Sequence, residues 1–269
     1  MSWETFPLQC PGIFSDILMI VSLERPEKIF KWRQVCQTWN KVILHDILGT
    51  EAEDKKRILR ERIQRNWGPG RFPSEEEISL ARMLEAEGYL DCGMIQSLTE
   101  RVRGALRNGG DNTTVMCGAA LAHHGLLGSM ERLWLSEVDL SEIPHQLASL
   151  ASCVTGVLYI KNVTGSQQIA SLLTSLNCSL LDIERQRLGR EETQAMVQAM
   201  QSGVEWVWLW EDVSLDIKTL SEYSGQGVCR TVELHYDTKD RYKEDMKTWA
   251  GNRNWRVVKD TDTEFYIGY

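Results

Sequence analysis

Seven cysteines, one adjacent histidine pair and a concentration of carboxylates are the residues of this chain that could do chemistry. The cysteines stand at 10, 36, 92, 117, 153, 178 and 229. None forms a Cys-x-x-Cys pair, and an odd total at wide spacing suits neither a disulfide framework nor a zinc site. His123 and His124 are consecutive, so a helix cannot turn both toward one ion. The chain has no Gly-x-Ser-x-Gly elbow, no His-Glu-x-x-His, no Gly-Lys-Ser/Thr phosphate loop and no Gly-x-Gly-x-x-Gly. Gly225-Gln226-Gly227 lacks the third glycine and the flanking strand. The expectation is a non-enzymatic protein with no metal and no cofactor.

Charge narrows the partners. The 269 residues carry a formal net charge of −8, and residues 130–269 hold 21 acidic against 14 basic side chains. Such a surface repels phosphate backbones, so nucleic acid is not an expected partner. No apolar run reaches the length that crosses a bilayer, and Met-Ser-Trp-Glu-Thr-Phe at the start lacks the basic flank and apolar core of a signal peptide. A cytoplasmic or nuclear protein without a membrane partner is expected.

The elements that position these residues announce themselves by an internal echo. Leu133, Leu158, Ile183 and Trp208 lie at steps of 25, as do Val138, Val163, Leu188 and Val213, while Gly128, Cys153, Cys178 and Gly203 keep a third position small. Leu234 continues the first series with one residue added. A fixed period in this range marks a solenoid whose units bury their faces on their neighbours. Each unit opens with a period-two strand: Leu133 to Leu135, Val157 to Ile160, Leu181 to Ile183, Trp206 to Trp210, and Val232 to Tyr236. A helix follows, marked by Ile143, Leu147 and Leu150, then Ile169, Leu172, Leu173 and Leu176, then Met196, Val197 and Met200, then Ile217 and Leu220. Cys153 and Cys178 fall at equivalent places before successive strands, which reads as small core residues.

Strand and helix in about 25 residues resembles the leucine-rich repeat in divergent form, since the usual Asn or Cys is not cleanly present. If Leu133, Leu158, Ile183, Trp208 and Leu234 point inward, alternation places Arg132, Trp134, Val157, Tyr159, Asp182, Glu184, Val207, Leu209, Glu233 and His235 on the concave sheet. That face is either a contact surface, since aromatics are enriched at hot spots, or a solvated sheet with incidental aromatics. In the same frame Trp206, Trp208 and Trp210 fill a layer of core.

Ahead of the repeats, Leu59, Ile63 and Trp67 share one face of a charged helix that stops at Gly68-Pro69-Gly70. Ser74 with Glu77 forms a capping box. Further helices are expected from about Asp91 to Leu106 and over Thr113 to His124, the second capping the solenoid. Trp255 to Lys259 and Phe265 to Ile267 read as a hairpin over the last sheet edge.

The front of the chain carries two short apolar helices. Ile13, Phe14, Ile17, Leu18, Val21 and Leu23 make one face; Ile29, Phe30, Val35, Trp39, Val42 and Ile43 make the other. Cys10-Pro11, the run to Leu23, Pro26-Glu27-Lys28-Ile29 and Val35-Cys36-Gln37-Thr38-Trp39 resemble an F-box over residues 7–48. Cys10 stands where that family usually has leucine. The resemblance implies docking on the Skp adaptor of a cullin ligase core through Pro11, Ile17, Leu18, Val21, Val35 and Trp39.

These readings give an α/β chain in three parts: an F-box-like motif at 7–48, a helical linker at 51–110, and a leucine-rich-repeat-like solenoid with a parallel sheet, outer helices and a terminal hairpin cap at 111–269. The expected function is substrate recognition in an Skp–cullin–F-box ubiquitin ligase. Arg132, Trp134, Tyr159, Asp182, Glu184, Leu209, Glu233 and His235 would hold a target protein whose identity the sequence leaves open. The alternative is a repeat interaction module without a ligase role.

Overall fold

The computed structural model describes residues 61, 63, 65, 67, 71–86, 90, 92–143, 146–222, 227–251 and 255–268. The chain divides into two compact units, Met1–Arg101 and Val102–Tyr269, with the boundary inside a helix.

In the first unit, helix α1 spans Glu75–Ala86. It begins at Ser74, whose backbone N–H donates to Glu77 Oε2 at 2.9 Å while its Oγ accepts from the Glu77 N–H at 3.3 Å. That reciprocal pair satisfies two donors the helix start would otherwise leave open. Ile78, Ala81 and Leu84 recur at helical spacing and are buried, as are Ile63 and Trp67. Arg101 donates to the carbonyls of Trp67 and Arg71 at 2.8 and 3.0 Å and lies over the Phe72 ring. Helix α2 covers Cys92–Arg107, with Ile95, Leu98, Val102 and Leu106 buried along one stripe.

The second unit is a seven-stranded sheet with helices. In chain order its elements are α3 (Asn112–His123), β1 (Met130–Ser136), α4 (Leu147–Ser152), β2 (Val154–Lys161), α5 (Ser166–Thr174), β3 (Leu180–Glu184), α6 (Arg190–Ser202), β4 (Trp206–Leu209), α7 (Ile217–Ser221), β5 (Thr231–His235), α8 (Tyr236–Gly251), β6 (Arg256–Asp260) and β7 (Glu264–Gly268). The strand order is β1-β2-β3-β4-β5-β7-β6. Strands β1 to β5 pair in parallel with their sequence neighbours, and β7 joins antiparallel between β5 and β6. Right-handed crossovers between successive parallel neighbours put every connecting helix on the same face. The helices α3 to α7 accordingly pack in a row, and α8 lies against β5 and β7.

Two unbroken apolar rows run under those helices. Leu133, Leu158, Leu181, Val207, Val232 and Ile267 form one; Leu135, Ile160, Ile183, Leu209, Leu234 and Phe265 form the other. All twelve are buried. The small residues of α3 allow close packing at its middle: a Cβ on Gly118 would stand 2.7 Å from Leu106 Cδ1.

The register departs from the constant step of 25. Successive members of the first row are separated by 25, 23, 26 and 25 residues. The shortened step keeps parity, but the step of 26 does not, and a one-residue change sends every side chain of a strand to the other face. Val207 and Leu209 therefore point to the core, and Trp206, Trp208 and Trp210 point away from the helices. The expected tryptophan core layer is overturned, and Leu209 is a core residue with no exposed surface. The odd residue falls in the β3–β4 connection, which holds the 13-residue α6.

Each strand of the parallel run is followed by a non-glycine residue in the left-handed region: Glu137, Asn162, Arg185, Asp212 and Tyr236, with φ between 48° and 58°. That conformation costs an L-residue about 1–2 kcal/mol, so its return in every unit marks a turn imposed by the neighbours. Beyond the turn, Val138, Val163, Leu188 and Val213 are all buried. At the short step, the Gln186 amide takes the place of a ladder residue. Its Oε1 accepts from the Val163 N–H at 2.8 Å and its Nε2 donates to the Val163 carbonyl at 2.9 Å.

Candidate functional site

The sheet face away from the helices is where exposed chemistry gathers. Its middle row crosses the sheet as Trp134, Tyr159, Asp182, Trp208, Glu233 and Tyr266, each in register with the next. Beside it runs Arg132, Val157, Leu180, Trp206 and Thr231. On the other side stand Lys161 and Glu184, then Trp210 and His235. Of the side chains expected to hold a target, Arg132, Trp134, Tyr159, Asp182, Glu184, Glu233 and His235 share this face, and Leu209 does not. Pro11, Ile17, Leu18, Val21, Val35 and Trp39 lie outside the described residues.

The tryptophans are what sequence reasoning missed. Both parities of β4 are apolar, so periodicity alone could not say whether Val207 and Leu209 or the three indoles faced inward. The available signal was size, since two branched aliphatic residues continue the rows of Leu and Ile on β3 and β5 while three indoles would not fit beside them.

The face has two halves. On the β1–β2 side, Trp134 and Tyr159 meet edge to face at a 4.6 Å centroid separation, a favoured geometry for ring quadrupoles. Trp134 is 37 % exposed and Trp206 40 %. The Tyr159 hydroxyl donates to Glu184, whose other oxygen pairs with Lys161 Nζ at 2.7 Å. Burial, followed by the hydrogen bond and charge of Glu184, pushes the Tyr159 phenol above its ordinary range. Burial also works to raise Glu184, but Lys161, Tyr159 and Arg185 outweigh it and hold that carboxyl low.

On the β4–β5 side, Trp210 stacks on the His235 ring at 4.0 Å and 13°. Trp208 meets Trp210 edge-on at 6.3 Å. His235 Nε2 lies 3.5 Å from Glu233 Oε2. Asp182 sits between the halves. Burial lifts its carboxyl from 3.8 to about 6, with Glu184 adding to the rise and the Trp210 indole N–H and His235 opposing it. Asp182 Oδ1 and Trp208 Nε1 are both covered, and neither has a hydrogen-bond partner.

Nothing in this arrangement resembles a nucleophile beside its base. The Cys178 and Cys229 thiols are buried and pushed up to about 11 and about 12, away from the thiolate that reactivity requires. Among the described residues no group of three or more His, Cys, Asp or Glu could hold a metal ion, and no helix is long and apolar enough to cross a membrane. The face presents aromatic area, carboxylates and covered, unpaired polar atoms. No protein-family model, curated protein or solved structure matches the chain.

Proposed function

We propose that the chain is the substrate-recognition subunit of an Skp–cullin–F-box ubiquitin ligase, a non-enzymatic receptor. Its N-terminal F-box-like helices dock on the Skp adaptor, and its strand–helix units form a divergent leucine-rich-repeat solenoid whose sheet face holds the target. The observation that carries this reading is the middle row of the sheet, with its flanking Trp206. Large aromatic side chains stand on the face opposite the helices α3 to α7, and aromatics of this kind dominate protein interfaces. The resemblance of residues 7–48 to an F-box supplies the ligase half of the reading. Such a receptor makes no bonds. It raises the effective concentration of a target lysine beside the charged ubiquitin carrier, which a tether can bring to millimolar levels.

Co-purification of the full chain with the Skp adaptor tests the ligase half. The wild type should bind, and Val35→Asp and Trp39→Ala should not. Retained sheet-face target capture without any adaptor binding would leave the plain repeat module instead. Trp134→Ala with Trp206→Ala tests the face, and unchanged target capture in that folded double variant would remove the sheet from the binding site.

A further inference from the structure

The acid–aromatic row has a chemistry that selects among targets. Its central strands present three carboxylates, Asp182, Glu184 and Glu233. Glu184 is matched by Lys161 and Arg185. Among the described residues, the buried Glu233 pairs only with His235, and Asp182 pairs with no cationic side chain. Arg132 stands at the β1 edge of the face, and Lys259 is engaged with Glu264 beyond β7. The centre of the face is therefore anionic.

Asp182 and Trp208 stand opposite one another in the β3–β4 ladder, about 4.8 Å apart by strand spacing. Asp182 Oδ1 has no donor and Trp208 Nε1 no acceptor, and both atoms are covered by the protein itself, while the two side chains as wholes are half-buried. An apolar partner closing over this pair would leave a carboxylate buried and unmatched, which is costly. An acidic partner would meet like charge. A guanidinium answers both objections: it donates to the carboxylate, carries the opposite charge, and lies flat on indole rings, which are the best cation–π acceptors. We propose that the row Asp182, Trp208 and Glu233, with the exposed Trp206 beside it, is a site for an arginine-bearing extended segment of a target protein. This rests on the sheet face being the target-binding surface, and it names the class of target. Side chains of an extended segment repeat about every 6.6–6.8 Å on one side, so a single segment crossing the row can put arginine on the indoles and aliphatic residues on Val157 and Leu180.

The test uses the full-length protein and two fluorescein-labelled nonapeptides, one with arginine at alternate positions and one with neutral, isosteric citrulline at the same positions. Fluorescence anisotropy should show the arginine peptide bound about tenfold or more tighter, with the preference shrinking as salt is added. Asp182→Asn and Glu233→Gln, separately and together, should bring the two peptides to within about threefold of each other, with cooperative thermal unfolding retained as the check on fold. Trp206→Ala should weaken both peptides. Equal affinity of the wild type for the two peptides, no binding of either, or a preference untouched by both charge variants would overturn the proposal. An intact arginine preference in a protein that fails to bind the Skp adaptor would support this site while overturning the ligase reading.

Discussion

Trp208 lies across the β3–β4 ladder from Asp182, on the sheet face that the helices leave open. A strict repeat of 25 would have put that indole under the helices and Leu209 above them. The difference is one residue in the β3–β4 connection, and through it β4 presents its indoles on that face instead of Val207 and Leu209.

Substitutions on β4 read that parity directly. Leu209 has no exposed surface, whereas Trp206 is 40 % exposed. Leu209→Ala should destabilise the protein by about 2–5 kcal/mol, and Trp206→Ala, the larger deletion, by less than about 1 kcal/mol. Urea unfolding of both variants checks this. A larger loss in Trp206→Ala would mean that the indole is core after all.

Much of the architecture is legible in the sequence. The capping box at Ser74, the strands, the helices through Arg107 and His123, and the closing hairpin all follow local rules that tertiary context did not override. The face of β4 was not legible, because Trp206, Trp208 and Trp210 alternate with Val207 and Leu209 and both sets are apolar. Helix α8 escaped for the opposite reason. Its stretch is highly charged, and its stripe of Tyr242, Met246, Trp249 and Ala250 is thin although buried. The left-handed turns are invisible in sequence, since Glu137, Asn162, Arg185, Asp212 and Tyr236 share no chemistry. Their common feature is position, not residue type.

Gln186 offers a test of how the short step is accommodated. Its amide both accepts from and donates to the buried backbone of Val163. Gln186→Leu would leave two covered peptide groups unpaired, at about 1–3 kcal/mol each. Gln186→Glu keeps the acceptor and loses the donor, so it should be destabilised at neutral pH and recover part of the loss in acid, where the protonated carboxyl can donate again. Denaturant unfolding at two pH values separates the variants. Equal stability of Gln186→Leu and wild type would mean that water replaces the amide there.

The carboxyl of Asp182 predicts a pH dependence of known sign. Its folded-state value of about 6 lies above the ordinary 3.8. Below about pH 4 the group is protonated folded or unfolded. Between about pH 4 and 6 the folded state holds the proton more tightly, so the stability tied to this group falls as pH rises and levels off above about 6. Asp111 and Glu184, held low, tilt the total the other way. The measurement is therefore the difference between wild type and Asp182→Asn across pH 4–7. The variant should gain on the wild type as pH rises, and a flat difference would mean that Asp182 titrates as if exposed. Binding of the arginine peptide should lower the Asp182 midpoint seen by NMR.

A buried lysine ties α8 to the turn of the hairpin that closes the sheet. Lys239 of α8 is buried, and its ammonium donates to the carbonyls of Thr261 and Asp262 at 2.5 and 2.8 Å, inside the β6–β7 turn. Thr261 and Glu264 complete the turn with backbone and hydroxyl hydrogen bonds. Because β7 is the strand that pairs with β5, the turn sets whether the parallel run ends covered or with an open edge. Lys239→Met keeps the aliphatic stem and removes the charge and its donors. The variant should lose about 1–3 kcal/mol and be cut by trypsin after Lys259 faster than the wild type, with β1 to β4 amides still protected from exchange. Protection lost evenly across all strands would show instead that the hairpin and the parallel sheet unfold as one unit.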